Sequence, residues 1–181
     1  MMMRNRKLEV ARLYTETARG YAVRYGEIQA EKHELVLSRL PERIGRLLDV
    51  GCGMGELLAR LGKRASVAVG VDISPGMVRA LGKRGPRVIV ADADRLPFAD
   101  GSFDCVVSVT LLQNMPDPRR TVAEMKRVVR PGGLVIVTTL RKKHSLRELL
   151  GIVRSAGLLV RESGEIGEDV YCVCERPHHN G

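Results

Sequence analysis

Tryptophan is absent from this 181-residue chain, and two phenylalanines and four tyrosines bring the aromatic share to only 3%. The core must therefore be built from aliphatic side chains. No apolar run approaches the ~20 residues a membrane-crossing helix needs, so no transmembrane segment is expected. Met1 to Arg6 (MMMRNR) is not followed by an apolar stretch, so no secretory signal is expected and the cytoplasm is the expected compartment. Four cysteines, none in C-x-x-C spacing, are too few and too scattered for a disulfide scaffold. No histidine stands at ligand spacing from them, so no metal site is expected. Cys52, Cys105, Cys172 and Cys174 read as small buried hydrophobes, and His178 and His179 as part of a polar tail.

Acidic residues are the scarcer charge: 21 Asp and Glu against 30 Lys and Arg give a net charge of +9. Such an excess suits an anionic partner, RNA above all, or an acidic membrane surface. It equally suits a Lys/Arg-rich surface that keeps a small protein in solution. Repeats and low-complexity segments are missing too, and the length fits a single domain with a substantial core.

What is present is organised around Leu47 to Glu56, LLDVGCGMGE. Leu47, Leu48 and Val50 make a buried strand. Gly51, Gly53 and Gly55 then alternate, and Leu57, Leu58 and Leu61 recur at helical spacing. Glycine lets the backbone turn sharply and approach a ligand closely. The start of the following helix suits an anionic group. A dinucleotide fingerprint, G-x-G-x-x-G, does not match, because Glu56 stands where the third glycine belongs.

Around this stretch the pattern alternates. Residues 7–40 read as two helices, the first ending near Gly20 and the second before Pro41, with Tyr14, Tyr21 and Tyr25 between them as a lid over a ligand. Strands are expected at Val67 to Val71, Arg87 to Ala91, Phe103 to Val109 and Leu134 to Thr138. Helices are expected after Ser74-Pro75, at Thr121 to Val129 and at Ser145 to Ala156. Pro131-Gly132-Gly133 reads as a turn. Leu158 to Arg161 and Val170 to Cys174 close the chain as a hairpin. The expected fold is one doubly wound, Rossmann-like α/β domain. It has a seven-stranded, mostly parallel sheet, a C-terminal antiparallel hairpin and an N-terminal helical extension. Residues 1–40 would form the lid and 41–181 the binding domain. In such sheets ligands bind at the carboxyl ends of the strands. Asp49, Asp72 and Asp92 all fall there, and Asp72 is placed to accept from vicinal ribose hydroxyls.

The strings LLDVGCGMGE, GVDIS (Gly70 to Ser74), ADADRLPFADGSFDCVVS (Ala91 to Ser108) and RVVRPGGLVIVT (Arg127 to Thr138) together resemble the class I S-adenosylmethionine-dependent methyltransferases, in particular the ubiquinone and menaquinone branch. The resemblance spans roughly Leu47 to Thr138. It implies S-adenosylmethionine as cofactor and S-adenosylhomocysteine as product. It also implies that Gly51, Gly53 and Gly55 pass the methionine part with Asp49 nearby, and that Asp72 binds the ribose. Ile73 and Met77 would pack on the adenine, Asp92 and Ala93 would bond its edge, and Val109 to Leu111 would run under the sulfonium.

Departures from the family concern the acceptor. Gln113-Asn114-Met115 precede Pro116-Asp117-Pro118 where many relatives carry a histidine pair. The Asn-Pro-Pro-aromatic step of adenine N-methyltransferases and the Pro-Cys step of cytosine-5 enzymes are both missing. Methyl transfer from a sulfonium needs orientation and water exclusion more than a base. If one acts, His144 and Tyr21 are the candidates, with Asn114 as a positioning group. Arg141, Lys142 and Lys143 would sit on the ligand rim. The expected activity is methyl transfer to an unidentified acceptor, a small molecule first and RNA or protein second. A cofactor-binding scaffold or partner subunit without catalysis is the alternative from another class.

Overall fold

The computed structural model describes residues 9, 29–82 and 85–178. The first expected helix and the lid tyrosines Tyr14, Tyr21 and Tyr25 lie outside the described residues. A helix, α1, covers 29–39. Seven strands follow: β1 (Ile44–Val50), β2 (Ala65–Asp72), β3 (Val88–Val90), β4 (Phe103–Ser108), β5 (Val129–Leu140), β6 (Leu159–Ile166) and β7 (Asp169–Glu175). Between them lie α2 (Glu56–Leu61), α3 (Pro75–Ala80), α4 (Pro118–Val128) and α5 (Leu146–Ser155).

The strands form one sheet in the order β3-β2-β1-β4-β5-β7-β6. The first five are mutually parallel, while β7 pairs antiparallel with both β5 and β6. This is the expected doubly wound sheet with its C-terminal hairpin. The order reverses beside β1, which places a crevice at its carboxyl end.

Both sheet faces are covered, and successive residues of the central strands are mostly apolar. Leu48, Val50, Val106 and Val135 pack with Val122, Met125, Leu149 and Val153 of α4 and α5. Leu47, Cys105 and Ile136 face the other way, against Val36, Leu57 and Leu61. Val36 of α1 is wholly buried, so one face of α1 packs against the core. All four cysteines are free, and three of them are buried.

Several boundaries depart from expectation, with β2, β5 and β6 all longer than expected, and two of the departures have local reasons. Helix α4 begins at Pro118 rather than Thr121, because Asp117 caps it by accepting the Arg119 N–H at 3.1 Å and proline fits the first turn. Pro131-Gly132-Gly133 does not turn the chain but lies within β5, where the pairing with β4 shifts register. Gly132 donates to the Arg176 carbonyl at 2.8 Å and Arg176 donates to Gly133 at 3.0 Å, which holds that step in line.

Candidate functional site

The turn after β1 is held by the end of β2. Gly51 and Cys52 both donate backbone N–H groups to the Val71 carbonyl, at 2.8 and 3.0 Å. Gly51 has φ of 77°, and a Cβ built on it would stand 3.0 Å from the Leu111 methyls. Only glycine satisfies both demands. Gly55 (φ 68°) caps α2, and a Cβ there would meet Pro86 at 2.5 Å. Helix α2 is only six residues long, so the dipole expected to favour an anion is correspondingly small.

Asp72 ties the turn together. One carboxylate oxygen accepts the Gly53 N–H at 2.9 Å and the other accepts the Ser74 N–H at 2.9 Å. Each oxygen keeps a further acceptor site, so the pair can still receive a diol. Burial raises the Asp72 pKa, and these backbone donors pull it back toward the usual range. Ser74 in turn accepts from Met77 N and starts α3 with Pro75 in its first turn.

A cleft of about 520 Å³, open mouth included, lies between this turn and the ends of β3 and β4. Of the expected site residues, Gly51, Asp72, Ile73, Asp92, Ala93, Leu111 and Asn114 line it. Asp49, Gly53, Gly55, Met77, Val109 and His144 are not among the lining residues. Asp49 is almost wholly buried, and burial, then the Asp72 charge, push its pKa up to about 7. Met77 is buried at 2% exposure, because α3 turns that side chain inward. Tyr21 lies outside the described residues. Sequence reasoning missed Val71, Ala91 and Met115 as wall residues; the positions beside Asp72, Asp92 and Asn114 were the available signal.

Those residues suit a nucleoside. Val71, Ile73, Ala91, Leu111 and Met115 offer an apolar slot for a flat ring, with Asp72 and Asp92 as acceptors at its ends. Asp92 also accepts the Asp94 N–H at 3.0 Å, which fixes its loop.

The far wall is built differently. Ser108 at the end of β4 donates to the Val50 carbonyl at 2.9 Å. Thr110 follows with φ of 56°, the one positive value outside glycine among the described residues. His144 Nδ1 lies 3.0 Å from Thr139 Oγ1, which lies 3.2 Å from Gln113 Oε1. Burial lowers the His144 pKa. On the expected basic rim Arg141 is engaged by Glu165, leaving Lys142 and Lys143 exposed. Among the described residues no group of three His, Cys, Asp or Glu could hold a metal, and no helix is long and apolar enough to cross a membrane.

A Rossmann-like sheet with an acid at the second strand end and a glycine turn at the first places the chain among the doubly wound α/β domains. Comparison with known proteins narrows the class. Residues 48–137 match a methyltransferase domain family. An uncharacterized methyltransferase of a Mycobacterium species is 34% identical over 134 residues, covering 69% of this chain and 53% of that protein. Demethylmenaquinone methyltransferase of Corynebacterium kroppenstedtii is 33% identical, covering 71% and 58%. A SAM-dependent methyltransferase of Thermotoga maritima superposes with a TM-score of 0.75 at 22% identity, covering 91% and 99%. A chain from the complex of the Haloferax volcanii Trm112 methyltransferase activator gives 0.77 at 23%, covering 92% and 97%. The chain belongs to the class I S-adenosylmethionine-dependent methyltransferases. It spans about half the length of the curated relatives it matches.

Proposed function

We propose that this protein transfers a methyl group from S-adenosylmethionine to an acceptor held at the carboxyl ends of β4 and β5, with a small molecule as the first candidate. The observation that carries this reading is Asp72. Its carboxylate is fixed in the cleft wall by two backbone donors, yet both oxygens retain capacity for ribose hydroxyls. Ile73 and Ala93 would flank the base, and Asp92 would accept from its amino edge. Gly51, packed under Leu111, would bring its backbone close to the amino-acid part. When bound, S-adenosylmethionine supplies a methyl on a positively charged sulfur that needs no further activation. The chain's own part is to orient the acceptor and exclude water, worth several orders of magnitude in rate. Asn114, in the cleft wall beside Met115, would hold an acceptor polar atom. His144, held through Thr139 and Gln113, would support that wall rather than touch the reacting atoms.

Lys142 and Lys143 favour a second reading, in which an anionic acceptor such as RNA meets an exposed basic rim. A partner protein is a further possibility to test, because a chain of like fold is found with an activator, and edge strand β3 exposes Ile89 and Val90 at 40% and 52%. The deciding experiment is transfer of labelled methyl into fractionated host extract, beside an Asp72→Ala control. Label in the small-molecule fraction supports the first reading. Label that is ribonuclease-sensitive, and lost on neutralising Lys142 and Lys143, supports the second. Absence of transfer with the cofactor still bound favours a scaffold.

A further inference from the structure

Thr110 is β-branched, and such residues avoid the left-handed region in which it lies. What holds it there comes from three distant parts of the chain. Its N–H is shared between the Thr138 carbonyl and hydroxyl, at 3.2 and 3.0 Å. Its hydroxyl accepts from Lys32 Nζ at 3.1 Å and donates to Asp169 Oδ2 at 2.9 Å. Thr138 also donates to Asp169 Oδ2, at 2.8 Å. Lys32 and Asp169 form an ion pair of 2.8 Å with side chains 3% and 0% exposed. Gln113 Nε2 donates to the Thr110 carbonyl.

A buried ion pair adds little net stability over an apolar pair of similar size, so stability alone does not account for this one. Its geometric consequence lies one residue on. Leu111 leaves Thr110 to cover Gly51, with its methyls 3.0 Å from where a Cβ would be, and it lines the cleft. We propose that the buried Lys32–Asp169 pair is a positioning device that clamps Thr110 in its left-handed conformation and thereby seats Leu111 against Gly51 as the cleft wall. The pair touches no ligand itself. It couples α1 and the start of β7 to the shape of the site, and its effect on ligand affinity rests on the cofactor reading above.

The test uses the full chain and two readouts. One is the nuclear Overhauser contact between the Gly51 Hα and a Leu111 methyl, which requires no ligand. The other is titration with S-adenosylhomocysteine. Asp169→Asn should erase the contact and weaken binding about tenfold, the order of one strained residue released. Adding Thr110→Gly should restore both, because glycine adopts the left-handed region without a clamp. A purely structural role predicts no such rescue. Should Asp169→Asn fail to fold, the apolar pair Lys32→Met with Asp169→Leu replaces it, and the same losses are expected. Wild-type contact and affinity in either variant, or losses that Thr110→Gly leaves in place, would overturn the proposal. If the wild-type protein does not bind S-adenosylhomocysteine, the cofactor reading fails, and the contact alone decides the clamp.

Discussion

The two walls of the cleft are made by opposite means. On the β1–β2 side, the groups that hold each other are close in sequence: Asp72 reaches Ser74 two residues on and Gly53 nineteen residues back. On the β4–β5 side, Thr110 is held by Lys32, 78 residues away, and Asp169, 59 residues away. The first wall uses backbone N–H groups and glycine, which leave few alternative conformations. The second uses side chains from α1, β5 and β7, which meet only once the sheet has closed. A motif can be inherited as a string, whereas a network of this kind exists only as an assembly.

The largest effect that would sharpen this contrast is on stability. Asp169→Leu alone leaves the Lys32 ammonium buried without its partner and should cost about 3–5 kcal/mol, most of it recovered when Lys32→Met is added. Urea unfolding of the single and double variants measures this, and a mild single variant would show the far wall to be less dependent on its assembly. Asp72→Ala should cost about 2–3 kcal/mol of S-adenosylhomocysteine affinity, roughly a hundredfold, by loss of two charge-assisted bonds. Calorimetric titration is the check, and near-wild-type affinity would remove Asp72 from the cofactor wall. Gly51→Ala meets both a positive φ and the Leu111 methyls, so affinity should fall about tenfold while the far wall keeps its bonds.

A pH slope separates the core under each wall. The Asp49 pKa is raised from 3.8 to about 7, first by burial and then by Asp72. Its share of stability is present below pH 3.8 and is lost as pH rises to about 7. His33 on α1 is lowered from 6.5 to about 4 by burial, then by Arg60 and Lys32. Its share is present above pH 6.5 and is lost as pH falls to about 4. The two slopes oppose each other between about pH 4 and 6.5. Asp49→Asn should uncover the His33 slope, so that unfolding free energy rises with pH by up to about 1.4 kcal/mol per unit. Denaturant midpoints at pH 4.5, 5.5 and 6.5 read it, and a flat profile in the variant would contradict the assignment.

Much of the near wall was legible because its signals are local. The apolar run before Gly51, the acid closing the next strand and the Ser74-Pro75 cap each depend on neighbours within a few residues, and all appear where the pattern places them. Met77 is a case where helical spacing tells that a residue faces inward but not what it meets there. It packs into the core. Pro131-Gly132-Gly133 has the composition of a turn, yet hydrogen bonds to residue 176 keep it in the sheet.

By itself, then, the sequence determined the alternation of strands and helices, the glycine turn and the acids at the strand ends, since period and backbone freedom act over short spans. Only the tertiary structure decided that Asp49 and Met77 are buried, that α1 packs through Val36, and that Lys32, Thr110, Thr138 and Asp169 share one buried network. Each of these needs strand order and sheet closure, which bring residues tens of positions apart within hydrogen-bonding distance.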